Sequence, residues 1–199
     1  PPRNQCPATP AYLSYAPEHA KTPAVLGRHA SCEPAAAVIQ QHVDFTRDYQ
    51  ELGQRSPIWQ NIRSVVTGEA TVFRESPVTI RADTGGAEIY ADPLFSRVVY
   101  NLIDNTLRHG EDMTEISFSI RHENGATVLR YEDDGQSVPT GEKDGLFRWG
   151  VGRNTGHGLF LSREILAITG IAIRETGSPG NGARFDIQIP EGGIRYGEA

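Results

Sequence analysis

The sequence predicts an α+β fold, a two-layer sandwich with one mixed sheet and helices on one face, preceded by a helical segment. Three observations carry this. Beyond about residue 77 the apolar period shortens from helical to alternating. The elements then run strand, strand, helix, strand, strand, long loop, helix, strand, strand. That order lacks the regular strand–helix alternation of a dinucleotide-binding unit, and no Gly-rich phosphate loop with its Lys and Ser/Thr is present.

Residues 1–33 show no period and hold prolines at 1, 2, 7, 10, 17 and 23, which opposes a regular helix. From Pro34 the pattern turns helical. Val38, Phe45 and Leu52 recur every seven residues, Pro34 suits a first turn and Gly53 a stop. Such a stripe serves either its own core or a partner helix. A second short helix is expected after Ser56-Pro57, carrying Ile58, Trp59, Ile62, Val65 and Val66.

Strands at 78–82 and 87–91 flank Gly85-Gly86, a hairpin signal. Asp92-Pro93 then opens a helix, with Asp92 as cap, that runs to about His109 before Gly110. Leu94, Val98, Leu102 and Leu107 supply its buried side. Strands at 115–121 and 126–133 meet around Glu123-Asn124-Gly125. Residues 134–157 are rich in glycine and polar residues. A helix follows from about His157 to Thr169, stopped by Gly170, and strands at 171–176 and 183–190 close the fold.

A net charge of −6 gives no electrostatic support for nucleic-acid binding. Cys6 and Cys32 lack metal-ligand spacing and read as free thiols rather than a disulfide. No apolar run approaches the roughly 18 residues a membrane span needs. With no signal-peptide pattern at its start, the chain reads as cytoplasmic.

Chemistry-bearing residues fall in order along the second part. Asn101 and Asn105 stand one helical turn apart, so their amides share a face. Asp133 ends a strand and Gly135 follows it. Gly156 and Gly158 precede a helix N-terminus, where backbone N–H groups and the helix dipole favour phosphate.

This order and spacing resemble the ATP-binding domain of sensor histidine kinases, a Bergerat-type sandwich shared with gyrase-type ATPases, over most of residues 77–192. The stretch FTRDYQELG followed by SPIWQN resembles the junction of a subgroup common in archaea. The resemblance implies ATP and Mg²⁺ as cofactors. In NLIDNTLRHG (101–110) it implies catalytic roles for Asn101 and Asn105, with Asn105 as metal ligand. Arg108 stands for a Lys near the nucleotide, and His109 lines the pocket. Related ATP hydrolases carry a Glu where Asn101 stands. An amide is no general base, which favours a kinase over an ATPase.

In YEDDGQSVP (131–139) the resemblance makes Asp133 the acceptor for the adenine amino group and Gly135 a close backbone approach; Ser137 replaces a second Gly. In GLFRWGVG (145–152), Leu146 and Phe147 match an apolar anchor. Trp149 departs from the family and suits packing or a partner contact. In GRNTGHGLFLSREI (152–165), the resemblance implies that Arg153, Asn154, Thr155, Gly156, His157, Gly158 and Leu159 line the nucleotide, His157 replacing a usual Leu. Gly182 to Phe185 resembles the last box, with Ala183 lacking its hydroxyl.

Such kinases need a phosphoacceptor His on the first helix of a dimeric hairpin. Arg3-Asn4-Gln5 resembles that stretch faintly, but Pro7, Pro10 and Pro17 break a helix there. His19, His29 and His42 lack a following acidic residue. The expected organisation is an irregular hairpin remnant at 1–33, a helical segment at 34–70 and an ATP-binding kinase domain at 71–199. The implied function is transfer of the γ-phosphoryl of Mg-ATP to a histidine, in trans. The implied partners are a response regulator or phosphoacceptor domain and a second copy, joined through the N-terminal helices. The alternative is a degenerate nucleotide-binding or dimerisation adaptor without autokinase activity.

Overall fold

The computed structural model describes residues 39–40, 42–109, 113–123, 125–150 and 157–197. The Pro-rich start, Pro34, Val38, Gly110, Arg153, Asn154, Thr155 and Gly156 lie outside the described residues. The chain divides into two compact units, Pro1–Val43 and Asp44–Ala199. The described residues of the first, 39–40 and 42–43, are helical.

The second unit opens with helix α1 (44–51), which ends as Gly53 takes a left-handed φ of 69°. Phe45 and Leu52 pack on the core, so this part of the heptad stripe serves the domain itself.

The expected helix after Pro57 is corrected. Ile58–Asn61 is a strand, β1, and only Ile62–Ala70 is helical, α2. Two causes act together, one tertiary and one local. Ile and Trp suit a pleated surface beside an available strand. Asn61 then caps α2, its side chain accepting from the Ser64 N–H at 3.0 Å.

The expected hairpin at Gly85-Gly86 is also corrected. Both glycines take positive φ and the Ala87 N–H reaches the Thr84 carbonyl, so the chain does reverse. Yet β2 (Thr79–Asp83) and β3 (Ala87–Ala91) enter different sheets. β2 runs parallel to β4 (Glu115–Glu123). β3 lies between β1 and β8 (Ile194–Tyr196), antiparallel to both. Ala87, Ile89 and Ala91 bury one face of β3 in the core, and that burial outranks pairing with its neighbour in sequence. β8 is an element the sequence pattern did not mark.

The main sheet has five strands in the order β2–β4–β5–β7–β6, with β5 at Ala126–Asp133, β6 at Ala172–Glu175 and β7 at Arg184–Ile189. Only the β2–β4 pair is parallel, so the sheet is mixed, as expected. The small sheet β1–β3–β8 is added to it.

Helix α3 (Phe95–His109) starts where Asp92 Oδ1 accepts the Leu94 N–H at 2.8 Å. Helix α4 (Gly158–Ala167) is followed by a left-handed Gly170, with the Ile171 N–H closing back on the Leu166 carbonyl. Val98, Leu102 and Ile103 of α3 and Ile165 and Leu166 of α4 meet Ile116, Phe118, Leu129, Tyr131 and Phe185 of the sheet in one buried core. The sandwich therefore puts the end of β5, the polar side of α3 and the start of α4 near one another in the fold.

Candidate functional site

Asp133, the last residue of β5, is the centre of the candidate site. Its carboxylate is buried and hydrogen-bonded on both oxygens. Oδ2 accepts from the Thr106 hydroxyl at 2.8 Å. Oδ1 accepts from the backbone N–H groups of Gly135 at 3.1 Å and Ala183 at 3.0 Å. The loop before β7 is pressed onto this residue: a Cβ on Gly182, whose φ is 72°, would lie 1.8 Å from the Asp133 carbonyl oxygen. Gly135 is thus a donor to Asp133. Ser137 ties the loop after β5 to the β6–β7 connection, its Oγ accepting from the Gly180 N–H at 3.0 Å.

Asn101 joins α3 to α4. Its amide donates to the Gly158 carbonyl at 3.0 Å and to the Ser162 hydroxyl at 3.2 Å, so the Asn-bearing helix is fastened to the first turn of the glycine-led helix. Asn105 is half-buried one turn further on. Arg108 is exposed, and its Nε donates to both carboxylate oxygens of Asp104, each at 2.8 Å. His109 ends α3, half-buried. Gly158 and the buried Leu159 open α4.

Helix α4 also starts beside a cluster of rings. The buried His157 stacks on Trp149 at 4.1 Å between ring centroids, and Phe45 of α1 lies 4.8 Å from each. Phe160 meets Trp149 edge-on at 5.3 Å. Of the two expected readings of Trp149, packing is what the structure displays. Leu146 and Phe147 pack on the core, Phe147 edge-on to Phe185 at 6.2 Å. Below them Lys143 pairs with the buried Glu175 at 2.6 Å, fastening the segment after β5 to the sheet edge.

The structure brings Asp133, Gly135, Ser137 and the 182–183 loop together, and separately Asn101 with Gly158. The residues that sequence reasoning missed are Thr106 and Tyr131. The Tyr131 phenol donates to Thr106 Oγ1 at 2.6 Å. Burial, and then the charge of Asp133, push this phenol well above the ordinary tyrosine range, so it stays a donor. A signal for Thr106 did exist: it follows Leu102 and Ile103 at helical spacing, a polar residue on the apolar face of α3.

Residues 91–193 match the family model described as histidine kinase-, DNA gyrase B- and HSP90-like ATPase. The chain belongs to that family. As a member it carries an ATP-binding domain of the sensor-kinase type. It is 33% identical over 99 residues to the alginate biosynthesis sensor protein KinB of Pseudomonas aeruginosa, covering 47% of this chain and 17% of that protein. It is 30% identical over 138 residues to the sensor protein KdpD of Mycobacterium tuberculosis, covering 64% of this chain and 16% of that protein. Among solved structures, the Acinetobacter baumannii histidine kinase AdeS superposes with a TM-score of 0.65 at 20% identity, over 81% of this chain and 82% of that one. The chain thus spans less than a fifth of the length of these curated relatives. No helix among the described residues is long and apolar enough to cross a membrane.

Proposed function

We propose that this domain is the catalytic part of a two-component sensor kinase and transfers the γ-phosphoryl of Mg-ATP to a histidine side chain. The observation that carries the reading is Asp133. It is a buried carboxylate at a strand end, held by donors from α3 and from two loops, with the glycine-led helix α4 fastened to α3 through Asn101. An acceptor of this kind suits the exocyclic amine of adenine and disfavours the carbonyl that guanine presents there.

The donor set fits Mg·ATP. The Asn105 amide oxygen would hold Mg²⁺, and the bound ion would neutralise charge on the transferred group. Asn101 supplies no general base, and its amide hydrogens face Gly158 and Ser162. The site therefore does not activate water. Its contribution is positioning, which can supply several kcal/mol of a barrier by orientation alone. Arg108, His109, Arg153, Asn154, Thr155, Gly156, His157, Gly158 and Leu159 complete the proposed nucleotide-binding set. The acceptor histidine belongs to a helical hairpin presented in trans, through a dimer formed by the N-terminal helices, and a response regulator takes the phosphoryl group onward.

The adaptor reading rests on the prolines that interrupt the N-terminal hairpin pattern and on the departures at Ser137, His157 and Ala183. One experiment separates the two. The chain is incubated with γ-labelled ATP and Mg²⁺ together with an intact phosphoacceptor hairpin. Acid-labile, base-stable label on the hairpin supports the kinase. Nucleotide binding without label supports the adaptor.

A further inference from the structure

A hydrogen-bonded chain runs from the core out to Asp133. Tyr131 is fully buried, and Thr106 and Asp133 are nearly so, which keeps water from competing along it. Tyr131 donates to Thr106 at 2.6 Å, and Thr106 donates to Asp133 Oδ2 at 2.8 Å. The polarity follows from the chemistry. A carboxylate only accepts, so the Thr106 hydroxyl donates to Asp133 and Thr106 Oγ1 accepts the hydrogen bond of the phenol. The phenol's other acceptor, the Leu102 carbonyl, is farther away at 3.4 Å.

A carboxylate offers about four lone-pair positions. Two backbone N–H groups occupy Oδ1 and Thr106 occupies one position on Oδ2. Among the described residues this leaves one position, on Oδ2, for a single ligand N–H. The torsion that turns a carboxylate about its last bond is broad. The Oδ1 contacts anchor one oxygen, and Thr106 is the side chain that fixes the other.

Resting on the reading of Asp133 as adenine acceptor, we infer that Thr106 and Tyr131 are positioning residues: they aim the remaining lone pair of Asp133 Oδ2 and so set selectivity for 6-aminopurine nucleotides. Neither side chain need touch the ligand. Thr106 acts through Asp133, and Tyr131 acts through Thr106 by fixing and polarising its hydroxyl.

The test is equilibrium binding of ATP and of purine riboside triphosphate, which lacks the 6-amino group, to the whole chain and its variants. Melting temperatures are recorded alongside. The wild-type chain should prefer ATP. Thr106→Val keeps the shape and loses the donor, and should narrow that preference by roughly tenfold, the scale of a hydrogen bond to a charged group. Tyr131→Phe should narrow it less, by roughly threefold, since Thr106 still donates. Thr106→Ser should keep it. A lower melting temperature with an unchanged ATP preference in both Thr106→Val and Tyr131→Phe would make the chain merely structural and overturn the inference. If Thr106→Val does not fold, Tyr131→Phe decides by the same criterion. A wild-type chain that binds both nucleotides equally would instead remove the adenine reading of Asp133, and this inference with it.

Discussion

The indole of Trp149 lies on the imidazole of His157, 4.1 Å between centroids and 25° from parallel, although Trp149 is 55% exposed and His157 is buried. Phe45 meets both rings at 4.8 Å, so a helix that precedes the sheet helps hold the start of α4. In a double-mutant cycle of Trp149→Ala and His157→Ala, urea unfolding should show a coupling of about 0.5–1.5 kcal/mol, the range of packed ring pairs. Additive effects would mean that the stack stabilises nothing. His157→Leu, which restores the residue usual in the family, should keep the burial and lose the coupling.

A second tie between α1 and the sandwich is ionic. Arg97 Nε of α3 donates to Asp48 Oδ2 at 2.6 Å, and the Asp48 side chain is 8% exposed. Asp48→Ala should cost about 1–3 kcal/mol, because it leaves a half-buried guanidinium without that acceptor. The double variant Asp48→Ala/Arg97→Ala should cost less than the sum of the two single variants. Denaturant titration of all three checks this.

Asn101→Glu tests the proposed absence of a general base. A carboxylate cannot donate to the Gly158 carbonyl or the Ser162 hydroxyl as the amide does. The variant should lose about 1–3 kcal/mol of stability, and because it places there the carboxylate that related hydrolases carry, ATP hydrolysis should rise above the low wild-type rate. Rapid hydrolysis by the wild-type chain, measured as phosphate release, would contradict the kinase reading directly.

Gly182→Ala should be severe. Its φ of 72° strains any other residue by about 1–3 kcal/mol, and its Cβ would overlap the Asp133 carbonyl at 1.8 Å. Gly180→Ala is the control, since that φ is 85° but nothing lies within 4 Å of its Cβ. Only the first should also reduce ATP affinity, measured calorimetrically under conditions where both variants are folded.

Asp134 gives a pH signature. The Thr114 hydroxyl, then the Glu115 and Thr114 N–H groups, hold its carboxyl down at about 2. A lowered folded-state value contributes stability that is complete above the unfolded value of about 4 and is lost as the pH falls through the folded one. The stability gap between wild type and Asp134→Ala should therefore be constant above about pH 4 and shrink toward pH 2. A gap that does not change with pH would place the effect in packing alone.

The sequence by itself determined most of the main sheet. Alternation marked β4, β5, β6 and β7, and Asp92 and Gly170 bounded α3 and α4, because these signals are local in the chain. The spacing of Asn101, Asn105, Asp133 and Gly158 pointed to the family for the same reason. Tertiary structure decided what local signals cannot carry. Gly85-Gly86 makes the same reversal whether or not its flanking strands pair, so only the buried face of β3 and the open edge of β4 sent them to different sheets. Ile58–Asn61 became a strand because β3 offered it a ladder. Tyr131, Thr106 and Asp133 became one hydrogen-bonded chain because α3 packs its apolar face on β5. A lone Thr on that face acquires meaning only when burial strips away water and leaves a carboxylate as its acceptor.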